Sequence, residues 1–262
     1  MAGRSRQRAA QAAARRSLPE RREAVIAGPK PRPLGTFGAL FDVIAEVKPR
    51  SPSEGAFPER HPAETAVGYQ AGGAAMISVL TEPSEFGGSI EMLEAVAAAV
   101  SVPVLAKDFL VDAIQVYEAR EAGADGVLVI ARILSDEAMV EILDAVFESG
   151  AFALLEAFDG DDLERIRRVV SGRDNLIAGV NCRNLDTLEV VPERHAALGG
   201  QLPGDVVSVA ESAMQNPADI ERVASSGYHA ALVGSALMRT DDPGHLVSEM
   251  IEAGRRAVTV PS

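Results

Sequence analysis

The sequence predicts an α/β fold, a closed barrel of eight parallel strands each followed by a helix, (β/α)8, over residues 43–262, preceded by an N-terminal extension over residues 1–42. Three observations predict it. Eight short apolar runs rich in Val, Ile, Leu and Ala recur along the chain, the pattern of strands covered on both faces. Segments with helical patterning and helix-capping residues lie between the runs. No G-x-G-x-x-G turn follows any run, which weighs against an open doubly wound sheet.

Taken in order, residues 1–16 (MAGRSRQRAAQAAARR) are rich in Arg and Ala but lack the apolar stretch of a secretory signal. A transit peptide or a basic arm would share that composition; a docked or fraying amphipathic helix is the expectation. Pro29, Pro31 and Pro33 follow, then TFGALF (36–41), read as a helical turn. The first strand is VIAEVK (43–48) and the second MISVLT (76–81). Ser89 then caps a helix over 89–100. The third strand, PVLAKDF (103–109), leads to a helix over 112–123 with Asp112 as N-cap and Gly123 at its C-terminal end. GVLVIA (126–131) is the fourth, and a helix capped by Ser135 runs over 135–150 to Gly150. FALLEA (152–157), LIAGVN (176–181), VVSVAE (206–211) and AALVGS (230–235) complete the eight. Eight is the count that closes a barrel, and the chain length suits one such domain.

Composition narrows the function. A net charge of -13 and a pI near 4.8 make the chain a poor general binder of nucleic acid or of an anionic membrane. No apolar run approaches the ~20 residues of a membrane-spanning helix. A single cysteine, Cys182, permits no internal disulfide and fits a reducing cytoplasm. It reads as a small buried hydrophobe. The histidines at 61, 195, 229 and 245 are scattered without H-E-x-x-H spacing, so no metal site is expected. No G-x-x-x-x-G-K-[ST] loop is present.

In such a barrel the chemistry sits at the C-terminal ends of the strands. The polar residues there are Glu46 and Lys48 on the first strand, Lys107 and Asp108 on the third, Glu156 on the fifth and Asn181 on the sixth. Glu211 and Ser212 end the seventh, Gly234 and Ser235 the eighth. Each has an ordinary structural explanation taken singly, as an ion pair, a strand-end cation or a cap. As a set, drawn from different strands to one end, they would converge on one mouth. Lysines and carboxylates shielded together there supply acids and bases near neutrality. Glycines and small hydroxyls after strands seven and eight suit phosphate.

The motifs IAEVKPRSPSEG, ISVLTEPSEFGGS, VLAKDFLVDAIQVYEAREAGAD, LLEAF, VNCRNLDTLEV, VAESA and LVGSALMR resemble those of the indole-3-glycerol phosphate synthase family of tryptophan biosynthesis, in family order from about residue 37 to 240. The resemblance implies a TIM barrel and a carboxy-lyase. It would convert 1-(2-carboxyphenylamino)-1-deoxyribulose 5-phosphate to indole-3-glycerol phosphate, with loss of carbon dioxide and water and without cofactor or metal. It implies Lys107 as general acid at the substrate carbonyl and Lys48 at the departing carboxylate. Glu156 would be an acid or base, and Glu46 would hold the lysines. Asn181, Glu211, Ser212, Arg183 and Phe109 would contact substrate; Ser51, Arg50, Ala213, Gly234 and Ser235 would hold phosphate. A phosphorylated small molecule is the implied ligand, and other tryptophan-pathway enzymes are candidate protein partners. Two positions depart from the family pattern: Ala213 stands where Gly is usual, although alanine resists φ > 0, and Pro49 where a basic residue is common. Three other readings stay open at this point: a paralogue in a specialised indole pathway, an isomerase-like phosphate-binding barrel, and a barrel that binds a phosphorylated ligand without catalysis.

Overall fold

The computed structural model describes residues 2–170, 174–184 and 187–259; residues 185 and 186 of the VNCRNLDTLEV motif lie outside them. All eight expected strands form: β1 Asp42–Val47, β2 Met76–Leu80, β3 Val104–Lys107, β4 Gly126–Ile130, β5 Phe152–Ala157, β6 Leu176–Asn181, β7 Val207–Glu211 and β8 Ala230–Val233. Each pairs in parallel with its sequence neighbours, and β1 pairs with both β2 and β8, so the sheet closes. The registers Asp42↔Ala230 and Ile44↔Met76 set the two seams of β1. Closure leaves no edge strand, so every strand has a hydrogen-bonded neighbour on both sides.

Helices α1 Ala2–Arg15 and α2 Leu18–Ala27 precede the barrel. The barrel helices are α3 Pro62–Ala71, α4 Ile90–Ala99, α5 Ala113–Glu121, α6 Asp136–Glu148, α7 Gly160–Val170, α8 Glu193–Gly199, α9 Pro217–Ser225 and α10 Pro243–Thr259. The caps foreseen in the sequence are made: Ser89, Asp112 and Ser135 accept from Met92, Ile114 and Ala138 backbone N–H at 3.1, 2.9 and 3.2 Å. Gly123 and Gly150 end their helices at φ +88° and +73°. TFGALF differs from expectation. Residues 35–38 form tight turns, because Gly35 and Gly38 sit at positive φ and break any helical run.

Strand alternation sorts the core into two layers. Ile44, Met76, Leu105, Leu128, Phe152, Leu154, Ile177, Val209 and Leu232 point inward and fill the lumen. Val43, Ala45, Val47, Ile77, Val79 and their equivalents point outward against the helices. Glu46 and Lys48 continue the inward series that begins at Ile44, so the first strand delivers both charges to the mouth. No helix among the described residues is long and apolar enough to cross a membrane. The N-terminal helices lie against α5, held by ion pairs such as Arg16–Glu121, Arg21–Glu118 and Arg22–Glu148.

Candidate active site

One cavity at the C-terminal mouth is lined by Glu46, Lys48, Ser51, Lys107, Phe109, Glu156, Asn181, Arg183, Ser212, Ala213, Gly234 and Ser235. These come from six strands and the loops after them. Glu211 lies directly beneath, with none of its surface exposed. Lys107 is the hub: its ammonium is 3.2 Å from Glu46 Oε2 and 3.2 Å from Glu211 Oε2. Lys48 Nζ is 2.9 Å from the other oxygen of Glu46 and lies 5.7 Å over the ring of Phe57. One buried carboxylate thus spaces two ammonium groups.

The electrostatics follow from this packing. Burial alone would raise the Glu46 carboxyl, but Lys107 and Lys48 override it and hold the group down at about 2. Burial opposes the charge on Lys107, and the carboxylates of Glu46, Glu211 and Glu156 more than reverse that, raising it above its ordinary value. Glu156 behaves in the opposite sense. Burial, with Glu211 beside it, pushes its carboxyl well above the usual carboxylate range. Glu211 Oε1 has no donor partner among the described residues; Glu156 lies beside Glu211, and in its protonated form its carboxyl is a donor.

A polar chain orients the far side. Ser212 Oγ donates to Asn181 Oδ1 at 2.9 Å, as does the Arg183 backbone N–H at 2.9 Å; Asn181 Nδ2 then donates to Glu156 Oε2 at 3.0 Å. Because the Arg183 amide can only donate, the Asn181 side chain is fixed in one orientation. Two glycines permit this crowding. A Cβ on Gly179 would overlap Glu211 Oε1, and one on Gly234 would overlap Glu46 Oε1 and lie 2.8 Å from Lys48 Nζ.

The phosphate-side expectations divide. Ser51, Ala213, Gly234 and Ser235 line the cavity. Arg50 does not. It is exposed, and its guanidinium donates to the Ser84 and Glu85 carbonyls at 2.6 and 2.9 Å. Arg50 and Ser51 form one arm of a small antiparallel hairpin with Gly55–Ala56; alternation there turns Ser51 inward and Arg50 outward. Ala213 does adopt the left-handed conformation, φ +63°, next to Ser212 at φ +68°. The alanine therefore keeps the backbone path that a glycine would take, at a cost of ~1–2 kcal/mol.

Sequence reasoning missed the apolar wall: Leu80, Phe86, Leu128, Ile130, Leu188, Met214 and Leu232. Leu80, Leu128, Ile130 and Leu232 occupy inward strand positions, so alternation alone could have found them. Ser53 was also missed. Its Oγ lies 3.1 Å from Ser51 Oγ and accepts from Arg183 Nη1 at 2.9 Å. Among the described residues no group of three or more His, Cys, Asp or Glu side chains is placed to hold a metal ion. Cys182 is buried behind β6, with its thiol pushed up to about 11 by that burial.

Comparison with known proteins fits this geometry. Among solved structures, 3-hexulose-6-phosphate synthase from Salmonella typhimurium superposes with a TM-score of 0.65 at 16% identity, covering 82% of this chain and 99% of that one. Thiamine phosphate pyrophosphorylase from Pyrococcus furiosus gives 0.60 at 16%, covering 84% and 98%. At that identity they show the fold alone. Sequence relatives are much nearer. The indole-3-glycerol phosphate synthase of Micrococcus luteus is 45% identical over 239 residues, 87% of this chain and 88% of that protein. That of Kineococcus radiotolerans is 45% identical over 226 residues, 86% and 80%. The family model described as indole-3-glycerol phosphate synthase matches residues 32–250, and the chain belongs to that family.

Proposed function

We propose that Lys107, Glu156, Lys48 and Glu46 carry the indole-3-glycerol phosphate synthase activity of this chain, the decarboxylating ring closure of tryptophan biosynthesis. Lys107 is the general acid. As the carboxylate-bearing aryl carbon attacks the ketose carbonyl, negative charge grows on its oxygen. A fixed ammonium stabilises that charge and donates a proton. Lys48 receives the substrate carboxylate until it leaves as carbon dioxide, and afterwards serves as the acid that expels hydroxide as water. Glu156, beside Asn181, exchanges the proton that leaves the adjacent carbon when the ring double bond forms. Glu46 sets the distance between the lysines. The observation that carries this reading is the Lys107 ammonium held at 3.2 Å from both Glu46 and Glu211 at the cavity floor.

The two halves of the cavity divide the substrate. The apolar wall around Phe86 and Phe109, whose rings lie 6.3 Å apart, suits the aromatic ring. Ser51, Ala213, Gly234 and Ser235 grip phosphate; Ser235 opens a short helix, Ser235–Arg239, whose first N–H groups have no intrahelical partner. Anchoring both ends holds aryl and carbonyl carbons together. Arg183, Asn181, Ser212 and Glu211 complete the pocket. The net charge of -13 weighs against a nucleic acid or anionic membrane partner, the single Cys182 fits a cytoplasmic enzyme, and the lysines and backbone N–H groups of the mouth suit a phosphorylated small molecule as its ligand. Other tryptophan-pathway enzymes are its candidate protein partners.

The test mixes purified protein with 1-(2-carboxyphenylamino)-1-deoxyribulose 5-phosphate and follows the fluorescence of the indole product. Turnover is expected, with a loss of at least ~100-fold in kcat for Lys107→Ala. Wild-type turnover by Lys107→Ala would sink the role given to that lysine.

A further inference from the structure

The N-terminal helix reaches the end of β3 with its own side chains. Arg8 lies outside the residues that the family model matches. Its Nη1 and Nη2 donate to Asp108 Oδ2 and Oδ1, each at 2.6 Å, a two-pronged contact. Asp108 follows Lys107 directly and is buried. It borders the cavity, but both oxygens are engaged within the protein. Thr81 Oγ1 donates to Oδ2 at 2.8 Å and the Phe109 backbone N–H to Oδ1 at 2.7 Å. Thr81 N–H also donates to the Lys107 carbonyl at 3.1 Å. Buried Ser5, one turn before Arg8, donates to the Phe109 carbonyl and accepts from Gln115 Nε2 at 3.0 Å. Two side chains of α1 therefore grip the two residues that follow Lys107, from outside the barrel.

The other polar anchors of α1 and α2 do something different. Arg16, just past α1, and Arg21 and Arg22 of α2 pair with Glu121, Glu118 and Glu148 on the outer helices, and Arg4 of α1 pairs with Glu85. Arg8 is aimed at the strand end. We propose that Arg8, acting through Asp108, is a positioning residue for Lys107: it locks the peptide after the lysine so that the ammonium stays centred between Glu46 and Glu211. The proposal rests on the reading of Lys107 as the general acid. A displacement of that ammonium by ~1 Å is enough to cost ~100-fold in rate.

The experiment compares Arg8→Met, Arg8→Lys and Lys107→Ala with the control Arg16→Met, which loosens the same helix at a contact remote from the cavity. Arg8→Met keeps the apolar stem and helix propensity but removes both donors. Its kcat is expected to fall ~10–100-fold while KM moves less than about threefold, because no phosphate-gripping residue touches α1. Arg8→Lys, a point charge in place of a fork, falls between. The alkaline limb of the pH–kcat profile moves to lower pH in Arg8→Met, since a lysine that swings away from two carboxylates loses its proton more readily; a helix that only adds stability would leave that limb in place. Hydrogen exchange over residues 2–15 reports docking. If Arg8→Met undocks α1, Arg8→Lys with α1 protected decides: a reduced kcat supports the proposal and an unchanged one overturns it. Equal kcat for Arg8→Met and Arg16→Met, with Lys107→Ala inactive, overturns the positioning role alone. Full activity in Lys107→Ala removes the acid and the proposal together.

Discussion

Replacing Glu46 with Gln removes the one carboxylate that holds both lysines apart, and the structure sets how much this costs. Glu46 is 4% exposed and lies 2.9 Å from Lys48 and 3.2 Å from Lys107. Lowering its carboxyl from an ordinary 4.5 to about 2 contributes on the order of 3 kcal/mol at neutral pH. Breaking a buried pair by removing one partner typically costs 3–5 kcal/mol, which agrees. The folded value lies below the unfolded one, so the stabilisation is complete well above pH 4.5 and is lost as pH falls through about 2. About three quarters of it remains at pH 4 and less than half at pH 3. For a chain of this size each kcal/mol shifts Tm by ~2–4 °C. Thermal melts followed by circular dichroism should therefore show Glu46→Gln ~6–12 °C below wild type at pH 7, with the gap shrinking to about three quarters at pH 4. A variant melting within 2 °C of wild type at pH 7 (~0.5–1 kcal/mol), or a gap that widens on acidification, would refute the account of the cluster.

Gly234→Ala places a methyl on Glu46 Oε1 and against Lys48 Nζ; kcat should fall ~10-fold or more, with ~1–3 kcal/mol lost in a denaturant titration. Ala213→Gly relieves ~1–2 kcal/mol of left-handed strain and gives back ~0.4–1 in unfolded-chain entropy. The net gain is ~0–1.6 kcal/mol, so Tm should rise by up to ~6 °C with the phosphate grip unchanged in KM, and a lower Tm would refute the strain. Glu156 has its folded-state carboxyl raised, so its contribution is present below its ordinary value of 4.5 and is lost as pH rises towards the folded value. Glu156→Gln should therefore gain on wild type in Tm as the pH is taken from 5 to 8; the opposite trend would place an ionised carboxylate there.

The barrel and its floor were legible because they rest on local rules. The run VIAEVK shows Glu46 and Lys48 on one face by alternation alone, and the same alternation carries Glu156, Asn181 and Glu211 inward. Arg50 was misplaced because the loop after β1 folds into a hairpin whose pairing, Ser51↔Gly55, has no strong apolar pattern to announce it. Ala213 was expected to resist a left-handed conformation. It adopts one because the neighbouring Ser212 is tied to Asn181, a contact made across two strands and invisible in sequence. Arg8 lies a hundred residues from Asp108; an arginine-rich helix says that some carboxylates will be met, and only the docked fold says which.

The charges at the mouth and the chemistry of the family constrain each other. Glu46, Glu211, Lys48 and Lys107 are joined by ion pairs and sum to zero. A fifth group, Glu156, would bring the floor to -1 if ionised, and burial beside Glu211 favours its protonated form. The ring closure turns a carboxylate into carbon dioxide and expels water, so each turnover takes up one proton. In the proposed mechanism two protons are given, one to the carbonyl oxygen and one to the departing hydroxyl, and one is recovered from the ring carbon. A floor of lysines alone could donate but not accept; ionised carboxylates alone could accept but not donate. Glu211 raises both Lys107 and Glu156, so the ammonium stays charged while Glu156, once ionised, is a stronger base than an ordinary carboxylate and can take the ring proton.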